Sequence, residues 1–249
     1  MKTANETVRK ASRAVRIWLR NEVRGWRVWE VAWLAACCAA IFGLSLYWNE
    51  GPLGVISAVC GVAYVVLAGK GKTSAFVFGV VNVLAYSYIS FKARYFGEVT
   101  LNLGYYLPTQ ILGFYCWNRE MNVETGETRK RRASRKEVAF GVVAIGVGTA
   151  IYGELLRRIG GAAPFVDALT TVASVVAMLA TIRRFVEQWS IWLTVNTVTV
   201  FMWIRAFVGG EENAGTTLVM WTLYWANAVA MWVKWEVELR RDENKGALS

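Results

Sequence analysis

The side chains whose spacing could do chemistry fall into four rows. Trp189, Trp192, Asn196 and Trp203 are three, four and seven residues apart. Phe78, Asn82 and Tyr86 follow every fourth position, Tyr106, Gln110 and Trp117 stand four and seven apart, and Tyr224, Asn227 and Met231 form a related row. On a helix these spacings put each row on one face. Every row then brackets a neutral carboxamide with aromatic or apolar groups. Aromatic faces stack on a flat ring, worth about 1–3 kcal/mol per base in nucleic-acid systems. They also attract a cationic ring, by about 2 kcal/mol when water is excluded. A carboxamide donates and accepts, as the hydroxyls of a sugar require. No Lys or Arg falls within these rows, so a phosphate would have no counter-ion. The chemistry suits a nucleoside better than a nucleotide. For one row alone the plainer account is structural, since Asn and Gln bond across helices at about 1 kcal/mol and Trp gathers at membrane interfaces. Four rows at one depth favour a binding site, while Trp221, Trp225 and Trp235 fit an interfacial belt better.

The elements that must carry these rows are apolar intervals between charges. The chain has 249 residues, 55 % hydrophobic and only 18 % charged, where soluble domains are nearer a quarter charged. Uncharged runs cover 31–49, 51–69, 73–91, 99–118, 138–153, 188–204 and 213–233, and 159–182 holds one charge, Asp167. A bilayer core needs about 20 helical residues, so the pattern predicts eight spans. Strand alternation is absent, which disfavours an outer-membrane barrel. With both termini cytoplasmic, 23 of the 28 Lys and Arg fall on the inner side, and only Lys92, Arg94, Arg157, Arg158 and Arg205 fall outside. That obeys the positive-inside rule. The formal charge of +10 thus marks one face of a membrane and not a nucleic-acid groove.

The N-terminus is too long and too charged for a cleavable signal peptide. Val8, Val15, Trp18, Leu19 and Trp26 fit one side of an interfacial helix, with arginines between them; a floppy basic tail is the alternative. The end from Arg240 to Ser249 reads as disordered. Cys37, Cys38, Cys60 and Cys116 lie in apolar runs without CxxC spacing and read as small buried hydrophobes. The absence of His removes imidazole metal sites and His-based triads. Neither a metal nor a cofactor is expected.

Residues 52–90 can be laid on 166–204 without a gap, at an offset of 114. Ser57 then pairs with Thr171, Phe78 with Trp192, and Asn82 with Asn196, both asparagines at the midpoint of their runs. Spans 2–4 and 6–8 therefore read as two copies of a three-helix unit, with span 5 restoring the orientation of the second copy. That is a parallel repeat about an axis along the membrane normal. No span holds a central charge; Glu154, Asp167 and Glu187 lie towards span ends. Proton relays need titratable groups at depth, so facilitated diffusion is expected, although backbone carbonyls could still coordinate Na⁺.

The pattern WxxWxxxN at Trp189, Trp192 and Asn196 resembles the signature of the PnuC vitamin transporters, which take up nicotinamide riboside, and the likeness covers spans 2–8. The resemblance implies a three-plus-one-plus-three helix fold related to the SWEET sugar transporters, a homotrimer, a midplane nucleoside site, and uniport drawn by cytoplasmic phosphorylation. It places substrate on Gln110, Trp189, Trp192 and Asn196. The repeat and the helical rows extend that set to Asn82, Asn227, Phe78, Tyr106 and Tyr224. Two departures stand out: span 1 with its basic leader, and Thr109 separating Pro108 from Gln110 where a SWEET hinge would have Pro-Gln. The expected organisation is a basic amphipathic N-terminus (1–28), an extra span (29–49), a first bundle (51–118), a basic loop (119–137), a linker helix (138–158), a second bundle (159–235) and a cytoplasmic tail (236–249). The expected protein is all-α and integral to a bacterial inner membrane. It has the lipid bilayer and further copies of itself as partners and binds no nucleic acid. The alternatives are a carrier for another nucleoside, vitamin or sugar on the same fold, a membrane enzyme, a retinal-type receptor and a pore. An enzyme would need a nucleophile–base pair or metal cluster at depth, a receptor a mid-span Lys where Lys234 lies at an end, and a pore polar stripes along whole helices.

Overall fold

The computed structural model describes residues 2–48, 51–92, 99, 101–160, 163–209 and 214–246. The side chain of Val8, together with Glu50, Arg94, Glu98, Asn213 and residues 247–249, lies outside the described residues. The described chain is mostly helical: α1 (Lys2–Val23), α2 (Val28–Tyr47), α3 (Pro52–Lys70) and α4 (Ser74–Lys92) come first. A π turn, Asn102–Tyr106, runs into α5 (Leu107–Arg119), and then come α6 (Arg135–Arg158), α7 (Pro164–Ile182), α8 (Gln188–Val208) and α9 (Ala214–Gly246). Between α5 and α6, β1 (Met121–Asn122) and β2 (Glu127–Thr128) pair antiparallel, with Met121 opposite Thr128. Helices α2–α9 fall on the eight apolar intervals, and α2, α3, α6 and α7 are long and apolar enough to cross a membrane by length and composition.

Local chemistry sets the ends. α3 stops at Gly71, whose φ of +82° lets its N–H and that of Lys72 turn back onto the Ala68 and Leu67 carbonyls. α6 opens on a capping box: Glu137 N–H donates to Ser134 Oγ (3.3 Å) and Ser134 N–H donates to Glu137 Oε2 (2.8 Å). α3 and α7 both carry Pro in the first turn, where its missing N–H costs nothing.

α3 packs on α4 and α9, α5 on α4 and α7, and α7 and α9 both on α8; α6 lies along α7, and α2 along α3 and α9. Exchanging the trio α3–α5 with the trio α7–α9 exchanges the α3–α9 and α5–α7 contacts. Across this junction Tyr64 donates to Met178 Sδ (3.4 Å), its own counterpart at an offset of 114. Phe76 meets Trp117 edge-on at 4.9 Å, Trp117 lies 6.3 Å from Trp235, and Trp235 lies 5.6 Å from Trp189. On the outside, Phe140, Val143, Ile151 and Leu155 of α6 are exposed, a surface suited to lipid and not to water.

Several expectations are corrected. Trp235 is no belt residue: it is fully buried, and its Nε1 donates to the Gly69 carbonyl (2.8 Å). Gly113 lets α5 lie against Phe76, which any side chain there would overlap. The helix widens earlier, in the π turn, where Leu107 N–H reaches the Asn102 carbonyl just before Pro108, which has no N–H to give. The tail from Arg240 is not disordered as far as Gly246: α9 continues through it, fixed when Arg132 pairs with Glu236 (2.7 Å) and Glu243 (3.2 Å) and Lys130 pairs with Glu238.

Several of the positive charges are held in buried ion pairs. At the hairpin end of the bundle Lys70 pairs with Glu30 and Glu127 (both 2.6 Å), and Lys234 pairs with Glu30 (3.0 Å). Glu127 is buried, which raises its pKa, but Lys130, Lys234 and Lys70 outweigh that and hold it down at about 2. Lys72 donates to the carbonyls of Asn21 (2.7 Å), Arg24 (2.6 Å) and Gly126 (2.7 Å), and burial pushes its pKa down to about 8. Glu22 of α1 accepts from Thr73 N–H (3.1 Å), Ser74 N–H (3.2 Å) and both their hydroxyls, capping α4 from another helix. The N-terminus is thus a docked helix and no floppy tail. Trp18 donates to Thr73 Oγ1 (2.8 Å), while Val15 and Leu19 stay exposed. The loop 119–137 is tied down as well. Thr128 N–H donates to the Gly71 carbonyl, and Arg131 bridges to Phe185, so one loop grips the α3–α4 and α7–α8 turns together.

Candidate functional site

Helices α3–α5 and α7–α9 line a half-open cavity of 1340 Å³. Its lining includes Asn82 and Tyr86 from α4, Tyr106 from the π turn and Gln110 from α5. α8 adds Trp189, Trp192, Asn196 and Trp203, and α9 adds Trp221, Tyr224 and Asn227. Eight of the nine residues expected from the sequence therefore face one space. The ninth, Phe78, does not: it lies on the outer surface, 38 % exposed. Each four-residue step rotates a helix by about 40° beyond a full turn. Asn82 and Tyr86 reach the cavity while Phe78 has turned away, and Gly79 faces α5 instead. Trp117 and Met231 continue their rows past the cavity into the buried core. Trp221 lines the cavity, 5.4 Å from Tyr224, and is no belt residue; Trp225 remains at the surface.

Hydrogen bonding divides the four carboxamides into two kinds. Asn227 is engaged on both arms: Nδ2 donates to the Val65 carbonyl (2.9 Å), and Oδ1 accepts from Trp33 Nε1 of α2 (3.2 Å). Asn82 Nδ2 donates to the Ser57 carbonyl (2.7 Å) and hydroxyl (3.1 Å). These two act at least partly as helix–helix ties. Gln110 Oε1, by contrast, is buried and accepts no hydrogen bond. Asn196 is 4 % exposed and lines the same cavity. A buried acceptor left without a donor costs about 1–3 kcal/mol, so Gln110 Oε1 has most to gain from a ligand, and Asn196 lies on the same cavity wall.

Close backbone approaches set the amides in place. A Cβ on Gly79 would come within 2.5–2.8 Å of the three heavy atoms of the Gln110 carboxamide. A Cβ on Gly61 would come within 2.6 Å of the Tyr224 hydroxyl and 3.1 Å of Asn82 Nδ2. Glycine at both positions lets the polar tips lie against a neighbouring helix. Trp192 is fixed by its Nε1, which donates to Thr181 Oγ1 (3.1 Å), and Thr181 in turn donates to the Ala177 carbonyl (2.9 Å). Trp189 stacks edge-on to Trp235, and its own Nε1 has no partner.

Among the described lining residues none is charged, and no group of His, Cys, Asp and Glu could hold a metal ion. The cavity can therefore stack on a planar ring and hydrogen-bond neutral polar groups. Residues that spacing alone did not single out are Tyr64, Thr181 and Gln188, all of which line it. Gln188 carried one signal, its place directly before Trp189, but its position at the edge of an uncharged run made it look like a helix boundary.

Comparison with known proteins follows the same lines. The family model for nicotinamide mononucleotide transporters matches residues 51–237. The chain is similar to the nicotinamide riboside transporter PnuC of Neisseria mucosa, 33 % identical over 90 % of this chain and 87 % of that one. The PnuC of Haemophilus influenzae is 30 % identical over 88 % of this chain and 94 % of that one. A solved crystal structure of the vitamin B3 transporter PnuC superposes with a TM-score of 0.77 at 33 % identity, covering 90 % of this chain and 97 % of that one. A riboflavin/roseoflavin transporter, RibM of Streptomyces davaonensis, is 28 % identical over 59 % of this chain and 70 % of its own length.

Proposed function

Since this chain belongs to the nicotinamide mononucleotide transporter family, the PnuC-type membrane transporters, we propose that it carries nicotinamide riboside across a bacterial inner membrane by uniport. The observation that carries this most directly is a tryptophan-walled cavity lined by the buried amides of Gln110, whose Oε1 accepts no hydrogen bond, and Asn196, with no charged residue among its described lining. The pyridinium ring is flat and cationic, so indole faces hold it without a carboxylate. The ribose hydroxyls both donate and accept, matching carboxamides. A phosphate would meet no cation, which favours the riboside over the mononucleotide named in the family model.

In this reading α2–α9 are eight membrane spans, with α3–α5 and α7–α9 as parallel copies in the SWEET manner, α6 as the linker and α2 as the added span. Both termini and the hairpin lie in the cytoplasm, and copies assemble as trimers through lipid-facing helices. The cavity opens alternately to the two sides as the units rock about their junction. Net uptake comes from phosphorylation of the riboside inside the cell, because no Asp, Glu, Lys, Arg or His is among the described lining residues to couple it to protons. No catalytic step is assigned to the chain. RibM favours one second reading, a carrier for another flat vitamin on the same scaffold.

Reconstituted protein should exchange radiolabelled nicotinamide riboside down its gradient at a rate indifferent to an imposed pH or Na⁺ gradient. It should be stabilised against heat by nicotinamide riboside but not by thiamine, riboflavin or sucrose. Accumulation driven by either ion would overturn uniport, and stabilisation by another vitamin alone would overturn the substrate.

A further inference from the structure

Gln188 is 1 % exposed, lines the cavity, and has its Nε2 buried without a hydrogen bond. The next residue, Trp189, is 4 % exposed and presents an equally unpartnered Nε1. Two neighbouring donors, each buried and each on a residue that lines the same space, are an unusual liability in a protein interior, where nearly all such groups are bonded. Both are neutral, so the group that completes them is a neutral acceptor; a carboxylate would find no cation there. Eight residues separate Gln188 from Asn196 on α8, a rise of about 12 Å, and Trp192 stands between them. The cavity thus has two polar levels, donors near the hairpin end and amides at mid-depth, with an aromatic wall between. That separation is close to the length of a nucleoside.

Taking the proposed substrate as given, we propose that Gln188 and Trp189 together form a reader for the carbonyl oxygen of the substrate's ring carboxamide, leaving the ribose to Gln110 and Asn196. Gln188 is then a specificity-determining residue: it separates a ring that carries a carbonyl from one that does not.

The test compares two ligands by calorimetric titration on purified full-length protein: nicotinamide riboside and pyridinium riboside, which differ only by the carboxamide. Wild type should bind the first at least tenfold more tightly. In Gln188→Met, a substitution of similar volume that removes the buried donor, the preference should narrow by about tenfold, with pyridinium riboside affinity unchanged. Without ligand this variant should melt no lower than wild type, since an unsatisfied amide has been removed. Trp189→Phe, which retains a ring and loses the N–H, provides an independent second variant and should narrow the same ratio. An undiminished preference in both variants, or equal losses for both ligands, would overturn the assignment. If wild type binds neither riboside, the substrate proposal itself falls, a result distinguishable from failure of the Gln188 role.

Discussion

Gly79→Ala should cripple binding without harming the fold. The new methyl group would lie 2.5 Å from Gln110 Oε1, 2.6 Å from Cδ and 2.8 Å from Nε2, where ordinary contacts begin near 3.4 Å. The carboxamide is the free end of a flexible side chain, so it retreats by up to about 1 Å while the helices stay in place. A hydrogen bond stretched by that much is no longer one. A substrate hydroxyl left unpaired in a dry site costs about 1–3 kcal/mol, or about 5- to 150-fold in Kd. Alanine in a helix interior offsets strain elsewhere by about 0.5–1 kcal/mol relative to glycine, so the melting temperature should not fall. Calorimetric titration with nicotinamide riboside is the assay. Gly104→Ala is the control, since a Cβ there meets nothing within 4 Å. Because Gly79 acts only through Gln110, Gly79→Ala added to Gln110→Ala should have no further effect. Affinity within twofold of wild type, or additive losses in the double variant, would refute the placement of Gln110 at the substrate.

The two kinds of amide should separate in the same assays. Asn227→Ala removes ties to Val65 and Trp33 and should lower stability by about 1–2 kcal/mol with affinity largely intact. Asn196→Ala and Trp192→Ala should weaken binding roughly tenfold or more with less effect on the melt of the empty protein; the opposite pattern would refute the division. Acid should loosen the hairpin end through Glu127. Its folded pKa of about 2 lies below its ordinary 4.5, so its stabilisation is complete above pH 4.5 and is lost as pH falls from there towards 2. The depression corresponds to about 3 kcal/mol, and Glu127→Gln should flatten that acid limb in a pH-dependent unfolding series.

The mostly helical, apolar character of the chain could be read from sequence, because it depends on local composition and spacing. Charges bound helices, and a helical period places Asn82 and Asn196 at mid-run wherever the helices lie. The same local rules misjudged Phe78, since a four-residue period drifts around the helix, and only the direction of the neighbouring helix decides where a row leaves the cavity. They also missed that Lys70, Lys130 and Lys234 are buried partners of carboxylates, because Glu30, Glu127 and Glu238 come from separate segments.

Which amides are ties and which stand free was likewise beyond the linear chain. Asn227 finds Trp33 from 194 positions away, whereas Gln110 Oε1 accepts from no neighbour. Hydrogen-bond satisfaction is a property of three-dimensional neighbours, whereas composition and periodicity report only on the residue and its own helix. Sequence alone therefore determined that polar and aromatic groups share one level of an apolar bundle. Tertiary packing decided which of their polar atoms were left without partners.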